Sequence, residues 1–228
     1  MRCGEYLAGP GQESDSLPLQ PYWGYEDIAI FFALAALMNT AVRLCARFHV
    51  IAQSEITHPG MRLQFIIVLI LSLCLYLTLK LRYRRPVVRA LGWTAPSMRY
   101  TIIALTAGTS SAAGVALYLR TRHQTLPLGA NMIILGSVLA PILEESLFRG
   151  FLLPVLARTA GNVWAVIGTG ILFALIHGPT NVAHWLAFSA AGILYGWLRV
   201  ASGTTTAAAI MHGVYNLTLI LLSGASWG

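Results

Sequence analysis

Two adjacent glutamates, Glu144 and Glu145, lie in an otherwise apolar stretch that also contains Arg149, and no other acidic residue occurs between Ile56 and the C-terminus. A carboxylate at bilayer depth costs several kcal/mol unless it is paired or hydrated, and such groups usually mark functional sites. In a helix, Glu145 and Arg149 are spaced to form an ion pair, whereas Glu144 points about 100° away from Glu145. Because desolvation makes a carboxylate a better base near neutral pH, Glu144 is a candidate for proton transfer. The alternative is that both glutamates only hold helices together through Arg149.

Further polar side chains lie in apolar segments downstream of the glutamates. His177 follows Phe173 by four residues at the end of one segment, and His212 precedes Asn216 by four residues inside another. A base, an orienting imidazole and two groups that can stabilise an oxyanion are the parts of a hydrolase. Each has a structural alternative, since a histidine can cap a helix C-terminus and amides can hydrogen-bond between helices. We expect His184 to have a structural role or to lie at an entrance.

These residues must be positioned by membrane-spanning helices, because 57% of the 228 residues are hydrophobic and only 10% are charged. The formal net charge of +7 does not indicate nucleic acid binding, since the basic residues lie between apolar runs. Such residues are typical of topology signals and of contacts with anionic headgroups. The three cysteines, Cys3, Cys45 and Cys74, fit neither a disulfide framework nor a zinc-site spacing, so we expect three thiols.

The predicted fold class is all-α, a polytopic transmembrane helical bundle of about seven spanning segments. Residues 1–24 contain glycines and prolines and few apolar side chains, which predicts a flexible tail without a signal peptide, and residues 25–228 form one transmembrane domain. A kink or break is expected at Pro141 and could add an eighth segment, and Gly178-Pro179 predicts a helix end. The apolar runs cover about residues 26–48, 61–81, 98–119, 129 through the glutamates, 162–177, 182–200 and 204–222.

The distribution of lysine and arginine predicts the orientation. With seven spans and a cytoplasmic N-terminus, nine basic residues fall in inside segments and five in outside segments, leaving out Arg149 within a span. Six of the fifteen basic residues lie between Lys80 and Arg99, and such clusters resist translocation. We therefore predict an integral, multi-pass protein of the plasma or inner membrane whose N-terminus and basic connector are cytoplasmic.

Three motifs occur in a fixed order on the apolar segments: Glu-Glu-x-x-x-Arg, then Phe-x-x-x-His, then His-x-x-x-Asn. This arrangement, over about residues 130–222, resembles the CAAX protease and bacteriocin-processing family of glutamic-type intramembrane endopeptidases, which includes the type II CAAX prenyl protease. The chain is short and has no recognisable prenyl-binding surface, so the resemblance does not specify a prenylated substrate.

The resemblance implies a role for each motif residue. Glu144 would be the general base, His177 would help it hold the attacking water, and His212 with Asn216 would form the oxyanion hole. Glu145, Arg149 and Phe173 would support the site. It implies no metal, no cofactor and a membrane-associated peptide or protein substrate.

Two other functions are compatible with the same residues. One is a zinc protease that uses Glu144, His177 and His212 as ligands, although the sequence has no His-Glu-x-x-His helix. The other is a non-enzymatic membrane protein for immunity or assembly, in which the polar cluster only fixes helix packing.

Overall fold

A computed structural model describes residues 21–48, 61–121, 129–178 and 181–224, and the regular structure of these residues is entirely helical. This confirms the predicted fold class. The helices are α1 (Tyr25–Arg47), α2 (Met61–Tyr83), α3 (Val87–Ala90), α4 (Met98–Thr121), α5 (Ala130–Ile134), α6 (Ala140–Glu145), α7 (Leu153–Ile176), α8 (Val182–Ser202) and α9 (Thr205–Gly224). Two π-helical segments lie between them, Leu135–Leu139 and Ser146–Leu152.

Five helical stretches are long and apolar enough to cross a membrane, namely Tyr25–Cys45, Leu63–Tyr83, Met98–Thr121, Ala130–Ile176 and Thr205–Ser223. A bilayer core about 30 Å thick needs about 20 apolar residues in a helix, and each stretch meets this requirement. The fourth stretch joins two of the runs predicted from sequence, and α8 corresponds to the sixth run.

Of the kink or break predicted at Pro141, the break is absent from the described backbone. The residues on either side of α6, Leu139 and Ser146, remain right-handed helical, and a π-helical segment precedes the proline. A π-helical turn changes the backbone hydrogen-bond pairing and can accommodate proline, which has no N–H to donate. Because the helix continues through Pro141, the eighth segment considered above does not begin there. The interruption lies instead at Gly161, with φ 80° and ψ 162°, a left-handed φ that glycine adopts without strain.

The N-terminal hairpin is held together at one end by polar contacts. Arg82 near the end of α2 contacts Glu26 at 2.7 Å and Asp27 at 3.1 Å, and the Tyr83 hydroxyl donates to Asp27. The start of α1 and the end of α2 therefore lie on the same side of the protein. The connector that follows is not one continuous helix, as its prolines and glycine predict.

The end of the predicted tail is packed against the helical body. Trp23 is buried, and its indole Nε1 donates to the carbonyl of Phe151 at 3.0 Å. Residues 1–20 of that tail, with Cys3, lie outside the described residues, as does Pro179 of the predicted helix end. Gly178 is described, lies two residues after the end of α7 at Ile176, and has φ 56°.

Glycines allow the helices around the candidate site to approach closely. A Cβ on Gly108 of α4 would lie 2.7 Å from the carbonyl oxygen of Met211 in α9. Gly170 of α7 and Gly192 of α8 face each other, since a Cβ on Gly192 would lie 2.8 Å from the Cα of Gly170. Small residues permit such contacts between membrane helices, and these contacts bring α7, α8 and α9 around the glutamate helix.

Candidate active site

Glu145 and Arg149 form the fully buried base of the site. Arg149 Nη1 lies 3.1 Å from Glu145 Oε1, and both side chains are 0% exposed. Arg149 Nη2 donates to the carbonyl of Gly192 at 2.7 Å, and the guanidinium lies over the rings of Phe173 and Tyr195. The predicted ion pair is therefore present, and it also joins the glutamate helix to α8.

The same carboxylate oxygen holds His212 of α9. His212 Nδ1 lies 2.9 Å from Glu145 Oε1, and an ionised carboxylate can only accept a hydrogen bond, so Nδ1 is the protonated nitrogen. This contact fixes the ring with its other nitrogen, Nε2, 3.8 Å from Glu144 Oε2. Glu145 therefore orients an imidazole as well as pairing with Arg149, a contact that sequence spacing alone does not predict.

Glu144 points to the other side of its helix, where it meets two histidines. Its side chain is 21% exposed, and its Oε2 lies 3.8 Å from Nε2 of both His177 and His212. Oε2 is buried and has no hydrogen-bond partner among the described residues. A buried carboxylate oxygen without a partner needs a donor, and the adjacent cavity is where one can bind.

His177 is fixed at the end of α7 by its own helix and by two rings. Its Nδ1 lies 2.7 Å from the carbonyl of Phe173, which makes Nδ1 the donor and leaves Nε2 as an acceptor facing Glu144. The imidazole lies 4.4 Å from the Phe173 ring and stacks on Phe188 at 4.6 Å, measured between ring centroids. The histidine thus caps the helix and also faces the carboxylate.

Asn216 lies one turn beyond His212 on α9. Its Nδ2 donates to the carbonyl of Gly136 at 2.7 Å, which uses one of its two amide hydrogens. The hydrogen bond fixes the amide against the first π-helical segment and leaves the second hydrogen available. Asn216 lines the same cavity as Glu144, His177 and His212.

This cavity has a volume of about 510 Å³ and is open on one side. The polar groups converge at one part of its wall, and the remainder is mostly apolar. The apolar wall includes Val115, Leu119, Met132, Ala187, Ala191, Leu219 and Ile220. His184 also lines it, and its backbone N–H donates to the side chain of Asn181, the N-cap of α8, at 2.9 Å. An apolar cleft with a few convergent polar groups is typical of a site for a small or extended ligand.

Two aromatic residues of the site were not predicted from the sequence. Tyr195 is buried and stacks on His212 with a centroid distance of 4.7 Å and an interplanar angle of 17°. Phe188 stacks on His177, with a centroid distance of 4.6 Å and an interplanar angle of 22°. The available signal was the spacing of Gly192 and Gly196 on either side of Tyr195, which marks a helix face packed closely against another helix.

Among the described residues, no group of three His, Cys, Asp or Glu side chains is arranged to hold a metal ion. The described cysteines, Cys45 and Cys74, are unpaired thiols, and neither lines the cavity.

Comparison with known proteins supports the resemblance carried by the three motifs. Residues 127–218 match the model of the family described as "Type II CAAX prenyl endopeptidase Rce1-like". Over 99 residues the chain is 25% identical to the "Putative membrane peptidase YdiL" of Bacillus subtilis (strain 168). That alignment covers 43% of this chain and 38% of the relative, so the chain spans well under half of the relative's length in the match. No solved structure matches the chain.

Proposed function

We propose that this protein is an intramembrane endopeptidase that hydrolyses a peptide bond in a membrane-associated peptide or protein. The observation that carries the proposal is the convergence of Glu144 Oε2 with Nε2 of His177 and of His212, each 3.8 Å away, at the wall of an apolar cavity. The matched family and the similar membrane peptidase support the same class of reaction.

In the proposed reaction, a water molecule bound between Glu144 and His177 is the nucleophile. Glu144 accepts a proton from this water as its oxygen adds to the carbonyl carbon, and the carbonyl oxygen becomes an oxyanion. Glu144 then returns the proton to the departing amine as the carbon–nitrogen bond breaks. His177 is suited to orient the water, because its Nδ1 is held by the Phe173 carbonyl and its Nε2 can accept.

His212 and Asn216 are the proposed oxyanion donors, and the contacts of His212 set a condition on its protonation. Since Nδ1 donates to Glu145, the neutral ring has no hydrogen on Nε2 to offer to an oxyanion. His212 can donate from Nε2 only as an imidazolium, which the Glu145 carboxylate stabilises. The Asn216 amide donates from its second hydrogen without any change in protonation.

The decisive experiment is cleavage of a peptide library by the purified protein, with Glu144→Gln as the matched variant. We expect the wild-type protein to cleave, and the variant to keep its folded yield and lose turnover. Equal cleavage by both proteins would indicate a contaminating protease. A folded wild-type protein that cleaves neither the library nor membrane proteins of its source would favour the non-enzymatic immunity or assembly role.

A zinc protease using Glu144, His177 and His212 is distinguished by metal content and chelation. We expect thorough metal removal to leave the activity unchanged, since a desolvated glutamate can accept a proton from water without a Lewis acid. One zinc per chain, with activity lost on chelation and restored by zinc, would overturn the metal-free mechanism.

A further inference from the structure

A second groove lies outside the candidate active site, between α2, α3 and the glutamate helix. It has a volume of about 290 Å³ and is almost wholly apolar. Val88 and Tyr76 of its wall are 56% and 40% exposed, so the groove opens on the outer surface of the helical bundle rather than into its core. The remaining wall residues are Ser72, Leu75, Val87, Leu91, Trp93, Ile142 and Ser146.

One wall of the groove is a turn in the apolar part of α2, formed by Ser72, Leu75 and Tyr76. Ser72 lies eleven residues before the end of α2 at Tyr83, which corresponds to about 16 Å along the helix. Val87 and Val88 of α3 also line the groove, so it joins the apolar part of α2 to the basic connector that follows this helix.

Two arginines that flank Val87 and Val88 in the sequence have no ion pair among the described residues. Arg82 is engaged by Glu26 and Asp27, and Arg85 lies over the Tyr22 ring at 5.4 Å. Arg84 and Arg89 are exposed, and no acidic partner is recorded for either within the described segments. Each arginine close to an anionic membrane surface attracts it by about 1 kcal/mol, so an anionic group is the complementary partner for this pair.

We propose that the groove binds one anionic glycerophospholipid, with an acyl chain along α2 and its phosphate near Arg84 and Arg89. The apolar wall is suited to bury an acyl chain, and the positive charges of the two arginines attract the phosphate of the headgroup. This site is separate from the cavity at Glu144, and the proposal does not depend on the protease activity.

The groove shares a wall with the helix that carries the glutamates. Ile142 precedes Glu144 by two residues, and Ser146 directly follows Glu145. Trp93, which also lines the groove, donates from its indole to the Ser146 hydroxyl at 2.9 Å. A bound acyl chain would therefore pack directly against the segment that presents the catalytic candidates.

Native mass spectrometry of the purified full chain tests this with phosphatidylglycerol and phosphatidylcholine of identical acyl chains. We expect the protein to prefer phosphatidylglycerol. The double variant Arg84→Gln/Arg89→Gln should weaken phosphatidylglycerol binding by about fivefold for each arginine removed and leave phosphatidylcholine binding unchanged. Ser72→Leu, which places a larger side chain in the groove, should weaken the binding of both lipids.

The matched control is Arg43→Gln/Arg47→Gln at the far end of α1. Because the start of α1 lies beside the end of α2, these arginines are at the opposite end of the hairpin. The control should bind both lipids like the wild-type protein, and circular dichroism should show equal helix content in all variants. Equal losses in the control, no headgroup preference, or full binding by Ser72→Leu would each overturn the proposal. Displacement of the lipid by a peptide substrate would reassign the groove to the substrate.

Discussion

The N-terminal hairpin and the C-terminal half differ in how much of each helix the protein itself covers. Within an 18-residue apolar window of each stretch, only 6% of the residues are buried in Tyr25–Cys45 and 11% in Leu63–Tyr83, whereas 33% are buried in Ala130–Ile176 and in Thr205–Ser223. The four stretches have similar apolar character, with mean hydropathies between 1.4 and 2.2. Hydropathy therefore identifies membrane helices but does not distinguish those that face lipid from those that face other helices.

The two regions also place their charges differently. In the hairpin, Glu26 and Arg82 pair at the helix ends with side chains that are 81% and 41% exposed. In the C-terminal half, Glu145 and Arg149 pair inside the bundle and are 0% exposed. An exposed pair contributes little to stability, whereas a buried pair becomes costly as soon as one partner is removed. The hairpin is therefore the less buried of the two regions, and we expect its exposed ion pair to contribute less to stability than the buried pair.

The largest expected effect comes from breaking the buried pair. Arg149→Ala should lower the free energy of unfolding by about 3–5 kcal/mol, because it leaves the Glu145 carboxylate buried with one partner fewer. Folded yield and thermal unfolding in detergent measure this effect. The matched change in the hairpin, Glu26→Gln, should leave the unfolding temperature unchanged within error. Similar losses in both variants would remove the distinction between the two regions.

The next largest effect is expected for an amide in the active-site cavity. Asn216→Ala should lower kcat about 100- to 1000-fold with little change in KM, because an oxyanion-hole donor typically contributes about 2.7–4 kcal/mol to the transition state. Steady-state kinetics on a cleaved peptide measure this effect. Asn39→Ala on α1, where the amide oxygen accepts a hydrogen bond from the exposed Arg43, should retain full activity. A large rise in KM with an unchanged kcat would assign Asn216 to substrate binding.

A smaller effect is expected for the tyrosine that stacks on His212. Tyr195→Leu should lower kcat about tenfold, since an aromatic stack contributes about 0.5–1.5 kcal/mol and the lost face also contacts Arg149. Tyr195→Phe keeps the stack and should retain most of the activity. Equal losses in both variants would indicate that the hydroxyl, rather than the ring, is the group that matters.

The orientation of the hairpin can be tested without changing stability. A reporter that is active only outside the cytoplasm, fused near Arg89, should be inactive because the basic connector is predicted to be cytoplasmic. The same reporter placed after Arg47, at the other end of α1, should be active. The opposite pattern would invert the predicted topology.

Several features were predictable from the sequence because they depend on local periodicity. The helix bounds agree closely with the apolar runs, as in α4 at Met98–Thr121 and α8 at Val182–Ser202. The spacing of Glu145 and Arg149 predicted their pairing, since residues four apart share a helix face. The three ordered motifs identified the resemblance that the family model supports over residues 127–218.

Other features depended on how the helices pack, which no local pattern specifies. The contact of Glu145 Oε1 with His212 Nδ1 joins residues that are 67 positions apart, and it fixes which histidine nitrogen faces Glu144. Pro141 alone predicted a kink or break, yet the described helix continues through it with a π-turn and breaks at Gly161. Tyr195 and Phe188 had no polar signal in the sequence, because their role comes only from the rings that lie beside them. The sequence thus determined which residues share a helix, and the tertiary structure decided which helices lie side by side. Close packing between two helices requires small residues at matching positions on both of them, and a pattern within one helix does not show which helix is its partner.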